Sequence, residues 1–266
     1  MIHTAVFENS RGFSVLAEIE PATRPDLRGV RQQIAVLAPV VDAFLVPDNH
    51  LGRATVSSIA VAHEVAFMGG RVVACLNGRD RNELGFRRDL LTAAAYGVDH
   101  LLLVGGDRIA GAESSGIKVS AMLAAARAAT GDPRFAGAPP FVVGAAASSA
   151  RPLPEWKKRA DFLLVQVSFG PLDQLCEWRS SIGFEAPVLA GVLVLASSAM
   201  AERLVSGAFG IEIPSQVIER LHDDPHAGVQ IALDQVAALR DSGVFQGAHL
   251  IPGVRYRQVT QALLRY

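Results

Sequence analysis

Short apolar runs alternate with longer amphipathic segments along most of this chain. Eight of the runs are rich in Val, Leu and Ile and are followed by polar or glycine-containing turns, the pattern of strands in a parallel sheet. The predicted strands cover residues 13–20, 42–47, 71–76, 100–105, 140–145, 161–166, 187–193 and 248–253. Eight strands separated by helices favour an α/β fold, a single (βα)8 TIM barrel.

The segments between these runs have the length of helices, and several end at a glycine or a Gly-containing turn. The predicted helices cover residues 53–68, 85–96, 116–130, 173–182 and 227–242, with two short helices within 197–223 and a closing helix over 255–266. We expect the long 197–223 excursion to help cover the barrel mouth. An open dinucleotide-binding sheet is the alternative fold, but no G-x-G-x-x-G follows the first strand. We find no linker and treat 1–266 as one barrel domain.

Composition limits the classes of partner. Half of the residues are hydrophobic, 19% are charged and the formal net charge is -1, so we do not expect a nucleic-acid partner. Cys75 and Cys176 lie far apart in apolar segments, which indicates buried, reduced thiols and no metal site. No apolar run reaches the roughly 18 residues of a membrane span, and MIHTAVFENS does not resemble a secretory signal. We therefore expect a cytoplasmic protein without a membrane partner; the oligomeric state stays open and includes a homo-oligomer.

Three polar side chains stand where predicted strands end: Glu18, Asp107 and Gln166. Parallel strands of a barrel end on one side, so we expect all three to face one mouth. A carboxyl group in an apolar mouth keeps its proton more readily because desolvation disfavours the charged form, which makes Glu18 a candidate general acid. Gln166 offers amide donors and an acceptor to a heterocycle. The structural alternatives are a solvated carboxylate at Glu18, a turn or cap residue at Asp107, and a side-chain amide at Gln166 that bonds to neighbouring backbone.

Polar loops follow the second and third predicted strands at the same end of the barrel. VPDNHLGR contains Asp48 and CLNGRDRN contains Asn77, and we predict both as substrate-binding residues. Arg and Asp alternate in the second loop, and salt bridges at a helix start are the alternative interpretation of that pattern. The histidines show no metal-ligand spacing and are interpreted as ordinary core or surface residues.

Taken in order, these motifs resemble those of the methylenetetrahydrofolate reductase family. They are AEIEP at the first strand, VPDNHLGR, RDRNELGFRRDLLTAAAYGVDHLLLVGGD, VQ at the sixth strand, PVLAGVL and GAHLIPG. The resemblance implies reduction of 5,10-methylenetetrahydrofolate to 5-methyltetrahydrofolate, a step of one-carbon metabolism that serves methionine biosynthesis. It implies Glu18 as the catalytic acid, Asp107 as the aspartate beside the reaction centre and Gln166 as the pterin-binding glutamine.

Three departures fall at family positions that contact FAD. Cys75-Leu76-Asn77 stands in place of a His-Leu-Thr run, Gly105 in place of an Arg, and AAASSARP in place of Tyr-Pro-Glu and His-Pro sequences. The pattern resembles the short, flavin-independent reductases, so we expect NADH or NADPH as direct hydride donor and no bound FAD. The alternatives are a reductase with an unfamiliar FAD site, one that uses a deazaflavin, and a non-catalytic pterin-binding barrel that partners a methyltransferase.

Overall fold

The computed structural model of the protein describes residues 12–49, 52–107, 116–207 and 211–265. Its strands are β1 (Ser14–Glu18), β2 (Ala43–Val46), β3 (Val72–Asn77), β4 (His100–Val104), β5 (Val142–Ala147), β6 (Phe162–Val165), β7 (Val188–Leu193) and β8 (Gly247–Ile251). Its α-helices are α1 (Arg28–Leu37), α2 (Ser58–Phe67), α3 (Glu83–Ala95), α4 (Val119–Ala129), α5 (Leu172–Ser181), α6 (Ser198–Ser206), α7 (Ser215–Asp223), α8 (Ala227–Asp241) and α9 (Tyr256–Leu263).

The eight strands form one closed, parallel barrel in chain order. Closure comes from the pairing of β8 with β1, in which Leu16 lies opposite His249 on one side and opposite Ala43 of β2 on the other. The predicted (βα)8 barrel is therefore confirmed, and each predicted strand matches an observed one within a few residues.

Every second strand residue points into the barrel, as the alternation of side chains along a strand requires. The interior side chains form one buried apolar cluster: Leu16, Ala43, Leu45, Val73, Cys75, Leu102, Val142, Phe162, Leu164 and Leu189. Larger clusters fill the space between the barrel and its helices, with Ile19 in one of them. Glu18 lies two residues after Leu16, so its side chain points to the interior side at the carboxyl end of β1.

Two helices differ from the sequence-based prediction. The prediction does not include α1, which begins at Arg28 with no side-chain cap and no acidic residue in its first turn. The acidic residue nearest the helix start is Asp26, which lies before the cap position and accepts from the Arg28 amide at 2.9 Å, so the usual start pattern is displaced here. The helix predicted from Arg53 begins only at Ser58, since the Val56 amide instead donates to the Ala22 carbonyl. None of the helices in the described residues has the length and apolar character that crossing a membrane requires.

Two connections shape the mouth of the barrel. The connection from β5 to β6, described throughout, holds a short 3-10 helix over Glu155–Arg159 instead of an α-helix. The excursion between β7 and β8 holds α6 and α7, as predicted, and packs through a separate cluster that includes Phe169, Leu195 and Ile231. Phe169 and Leu195 follow the ends of β6 and β7. The excursion therefore builds up the rim of the mouth on that side.

We predict that Gly144→Ala destabilises the barrel by about 1 to 3 kcal/mol, because overpacking of an interior position strains its neighbours. A Cβ at Gly144 would lie 2.2 Å from Cζ of Phe162, a fully buried ring on the adjacent strand. Gly29→Ala is the control: a Cβ there meets nothing within 4 Å, so we expect stability to stay equal or rise slightly. Urea denaturation of both variants gives the comparison, and equal losses would contradict the steric explanation.

Candidate active site

The carboxylate of Glu18 lies at the mouth beside an imidazole from the last strand. Nε2 of His249 is 3.2 Å from Oε2 of Glu18, and the side chains are 5% and 13% exposed, respectively. The contact does not meet the geometry of a regular hydrogen bond, so the two groups form a close polar pair. A carboxyl and an imidazole this close can exchange a proton. Glu20, in contrast, is exposed beyond the strand end.

Cys75 lies in the interior layer beneath this pair. Burial raises the pKa of the Cys75 thiol, and the nearby carboxylates of Glu18 and Asp48 raise this pKa further. The thiol is therefore neutral and forms part of the apolar floor of the mouth. Its electrostatic contact with both carboxylates also places Glu18 and Asp48 above the same part of the barrel.

Asp48 and Asn77 are bonded directly to each other. The main-chain amide and the side-chain Nδ2 of Asn77 donate to Oδ2 of Asp48, at 2.9 and 2.8 Å. Oδ1 of Asn77 accepts from the Asp80 amide at 3.0 Å, so both ends of the amide are used. This network ties the loop after β2 to the end of β3. Substrate binding by Asp48 and Asn77 stays a prediction, and a ligand would have to share side chains that already have partners.

The RDRN segment after β3 supplies the cations of this network. Arg81 donates to Oδ2 of Asp48 and, through Nε, to Oδ2 of Asp89 at 2.7 Å. Burial lowers the pKa of Arg81, but its hydrogen bonds to the two carboxylates outweigh this and raise the pKa overall. Asn82 caps α3 by accepting from the Gly85 amide at 2.8 Å. The interpretation of this segment as salt bridges at a helix start is confirmed, and the Arg81 pairs are more buried than surface pairs usually are.

Asp107 and Gln166 lie at the same end of the barrel in more open positions. Asp107 is half-buried in the loop after β4, and its carbonyl accepts from a guanidinium nitrogen of Arg79. Gln166 is the first residue after β6. Its main-chain amide donates to the Ala147 carbonyl at 2.9 Å, and its side chain is exposed. Gln166 thus faces solvent at the mouth while Asp107 is half-buried there, and the roles of both stay predictions. His50 lies outside the described residues.

The sequence-based prediction does not include two side chains that bind the carboxylates at the mouth, His249 and Arg81. It interprets His249 as an ordinary histidine, although the alternation of GAHLI places this residue on the interior side of β8. That alternation, combined with barrel closure, is the signal that could have identified it. Arg81 carries no comparable signal, since the burial of a loop arginine depends on the packing around it. Among the described residues, no group of three His, Cys, Asp or Glu side chains is placed to hold a metal ion.

Comparisons with known proteins place this geometry in context. The family model described as methylenetetrahydrofolate reductase matches residues 46–262. Among curated proteins, no significant match was found.

Several solved structures share the fold at low sequence identity. An uncharacterised protein from Clostridium thermocellum, which binds two copies of 5-methyl-5,6,7,8-tetrahydrofolic acid, is 13% identical, with a TM-score of 0.67 and coverage of 99% of this chain and 97% of that one. Apo-MsnO8 is 14% identical, with a TM-score of 0.59 and coverage of 96% and 97%. At these identities the structural matches establish the barrel fold alone.

We predict that Arg81→Met lowers the free energy of unfolding by about 3 to 5 kcal/mol, because it leaves the buried carboxylate of Asp48 without its cation. The matched control is Arg88→Met, which removes a 74% exposed guanidinium from the same partner, Asp89. Exposed pairs contribute about 0 to 1 kcal/mol, so the control should remain close to the parent in urea denaturation. A loss at Arg88 as large as that at Arg81 would show that burial of the pair is not what matters.

Proposed function

Because the chain belongs to the methylenetetrahydrofolate reductase family, we propose that it reduces 5,10-methylenetetrahydrofolate to 5-methyltetrahydrofolate with hydride taken directly from NADH or NADPH. The observation that carries the proposal is the Glu18 carboxyl group, which lies at the barrel mouth 3.2 Å from the ring of His249. Active sites of (βα)8 enzymes lie at this end of the barrel. A carboxyl group in this position can supply the proton that the reaction needs.

Glu18 would act first, as the general acid. Transfer of its proton to N10 of the folate breaks the bond between N10 and the bridging methylene carbon and leaves a 5-iminium cation. Hydride from C4 of the nicotinamide then adds to the exocyclic carbon, which becomes the methyl group as the dinucleotide is oxidised. The ring of His249 lies close enough to pass a replacement proton to Glu18 before the next turnover.

Asp107 and Gln166 would hold the reacting molecule. The Asp107 carboxylate stabilises the iminium cation by opposite charge, and the Gln166 amide offers donors and an acceptor to the polar edge of the pterin. The exposure of Gln166 before substrate binds is consistent with this role. Alignment of nicotinamide and iminium carbon in one mouth supplies part of the roughly 7 to 11 kcal/mol available from proximity and orientation.

The polar groups at the ends of β3 and β4 fit bound FAD poorly. These are positions at which the family resemblance places FAD contacts, and the described side chains there already donate to one another: Asn77 and Arg81 to Asp48, and Arg79 to Asp80. Gly105 and Gly106 follow β4 and provide no cationic side chain. This arrangement supports the flavin-free form of the proposal, and no step of the mechanism passes through a flavin.

The Clostridium thermocellum structure adds support for the choice of ligand. That protein, a barrel of the same fold, binds 5-methyltetrahydrofolic acid, which is the product proposed for this chain.

Transfer of a deuterium label tests the proposal. Purified protein with no added flavin is incubated anaerobically with 5,10-methylenetetrahydrofolate and nicotinamide dinucleotide deuterated at C4, in both stereoisomers. We expect turnover by a colourless protein, with the deuterium of one stereoisomer retained in the methyl group. A yellow protein that releases the label to water would identify a flavin enzyme, because hydrogen on a reduced flavin nitrogen exchanges with solvent. Turnover only with a deazaflavin would identify a deazaflavin-dependent reductase, and folate binding without any turnover would identify a non-catalytic pterin-binding barrel.

We predict that Glu18→Gln lowers kcat by about 10² to 10⁴-fold, because the amide cannot donate the proton that a general acid supplies. Affinity for the folate should change little, since the two side chains have the same shape. Glu20→Gln is the control, because this carboxylate is exposed two residues further along the chain. Steady-state rates and folate titrations of both variants give the result. If Glu18→Gln turns over like the parent, Glu18 is not the acid.

A further inference from the structure

Arg79 joins the loop after β3 to the loop that carries Asp107. Its Nε and one terminal nitrogen donate to the two carboxylate oxygens of Asp80, at 2.7 and 2.8 Å, and its other terminal nitrogen donates to the main-chain carbonyl of Asp107. The side chain is only 11% exposed. A guanidinium bound by both edges has a fixed plane, so its contact with Asp107 has a fixed direction.

The carboxylate that holds Arg79 is itself held in place. Asp80 accepts from Nδ2 of Asn49 at 2.9 Å, and its amide donates to Oδ1 of Asn77 at 3.0 Å. The hydrogen bond from Arg79 is the main cause that lowers the pKa of Asp80 to about 2, with smaller contributions from the two asparagines. Asp80 therefore stays ionised, and Arg79 keeps its partner, throughout the neutral pH range.

The main chain before Asp107 also packs on Arg79. Gly106 has φ +85°, a left-handed conformation that favours glycine, and a Cβ added there would lie 2.9 Å from Cβ of Arg79. The turn that sets the direction of Asp107 thus rests on the stem of Arg79, while the guanidinium binds the next carbonyl. Steric contact and hydrogen bonding fix the same two residues.

We propose that Arg79 is the positioning residue for Asp107: it holds the turn at Gly106 and Asp107 so that the Asp107 carboxylate faces the reacting cation. The inference rests on the proposed function for its catalytic consequence, but the contacts themselves do not depend on it. Arg79 acts through the main chain of Asp107 and needs no contact with the folate. Loss of Arg79 should therefore lower kcat, by roughly 10 to 100-fold for a displacement of about 1 Å, and leave the folate KM nearly unchanged.

A double-mutant cycle tests whether Arg79 acts through Asp107. The variants are Arg79→Met, Asp107→Ala and the double variant, with Arg79→Lys as the conservative replacement. If Arg79 only positions Asp107, the double variant should be no slower than Asp107→Ala alone, because residues that act as one unit have non-additive effects. Arg79→Lys should recover part of the rate, since an ammonium can still donate to the carbonyl. Fully additive losses, or an Arg79→Met variant as fast as the parent, would overturn the proposal.

Hydrogen exchange separates failure of this inference from failure of the proposed function. Amide exchange in peptides that contain Gly106 and Asp107 should speed up in Arg79→Met, whether or not the parent protein reduces folate. The control is Arg134→Met, which breaks a similar Arg–Asp pair with Asp132, on the connection from α4 to β5 at the opposite end of the barrel. Unchanged exchange in Arg79→Met refutes the positioning role. If exchange is faster in Arg79→Met but the parent protein has no reductase activity, the positioning of the turn by Arg79 is supported and the proposed function is rejected.

Discussion

Pairing of β8 with β1 closes the barrel and sets the geometry from which the positions of the helices, loops and mouth follow. A parallel sheet leaves unpaired amides and carbonyls at both edges, and pairing the last strand with the first removes both edges. The register of that pairing places His249 opposite Leu16, two residues before Glu18 on the same strand. Glu18 and the imidazole of His249 therefore come from opposite ends of the chain and meet only when the barrel is complete.

The second requirement is that charges near the mouth be paired before they are buried. Asp48 is almost fully buried, and Arg81 compensates its charge while bonding to Asp89 on α3. Because the cost of an unpaired buried charge is high, this network fixes the loops after β2 and β3 relative to each other. Its members already hydrogen-bond to one another, in contrast to Gln166, whose side chain remains exposed.

Each residue of the RDRN segment, Arg79 to Asn82, makes a different contact, which gives a physical reason for its polar composition. Arg79 binds the loop of Asp107, and Asp80 holds Arg79. Arg81 compensates the charge of Asp48, and Asn82 caps α3. Through these contacts the segment joins the loops after β2 and β4 to the start of α3.

The barrel could be predicted from the amino-acid pattern alone, because strands that are buried on both faces produce continuous apolar runs in the sequence. The pattern also determined which end holds the polar residues, since Glu18, Asp107 and Gln166 follow the runs directly. Local signals did not predict α1, where Leu27 at the cap position makes no side-chain cap bond, or the late start of α2, where the Val56 amide donates to the Ala22 carbonyl in the loop after β1. Three contacts became visible only in the folded protein: His249 beside Glu18, Asn77 bonded to Asp48, and Arg79 bonded to the Asp107 carbonyl. These contacts join residues far apart in the chain, so their energies depend on packing and burial that no local pattern encodes.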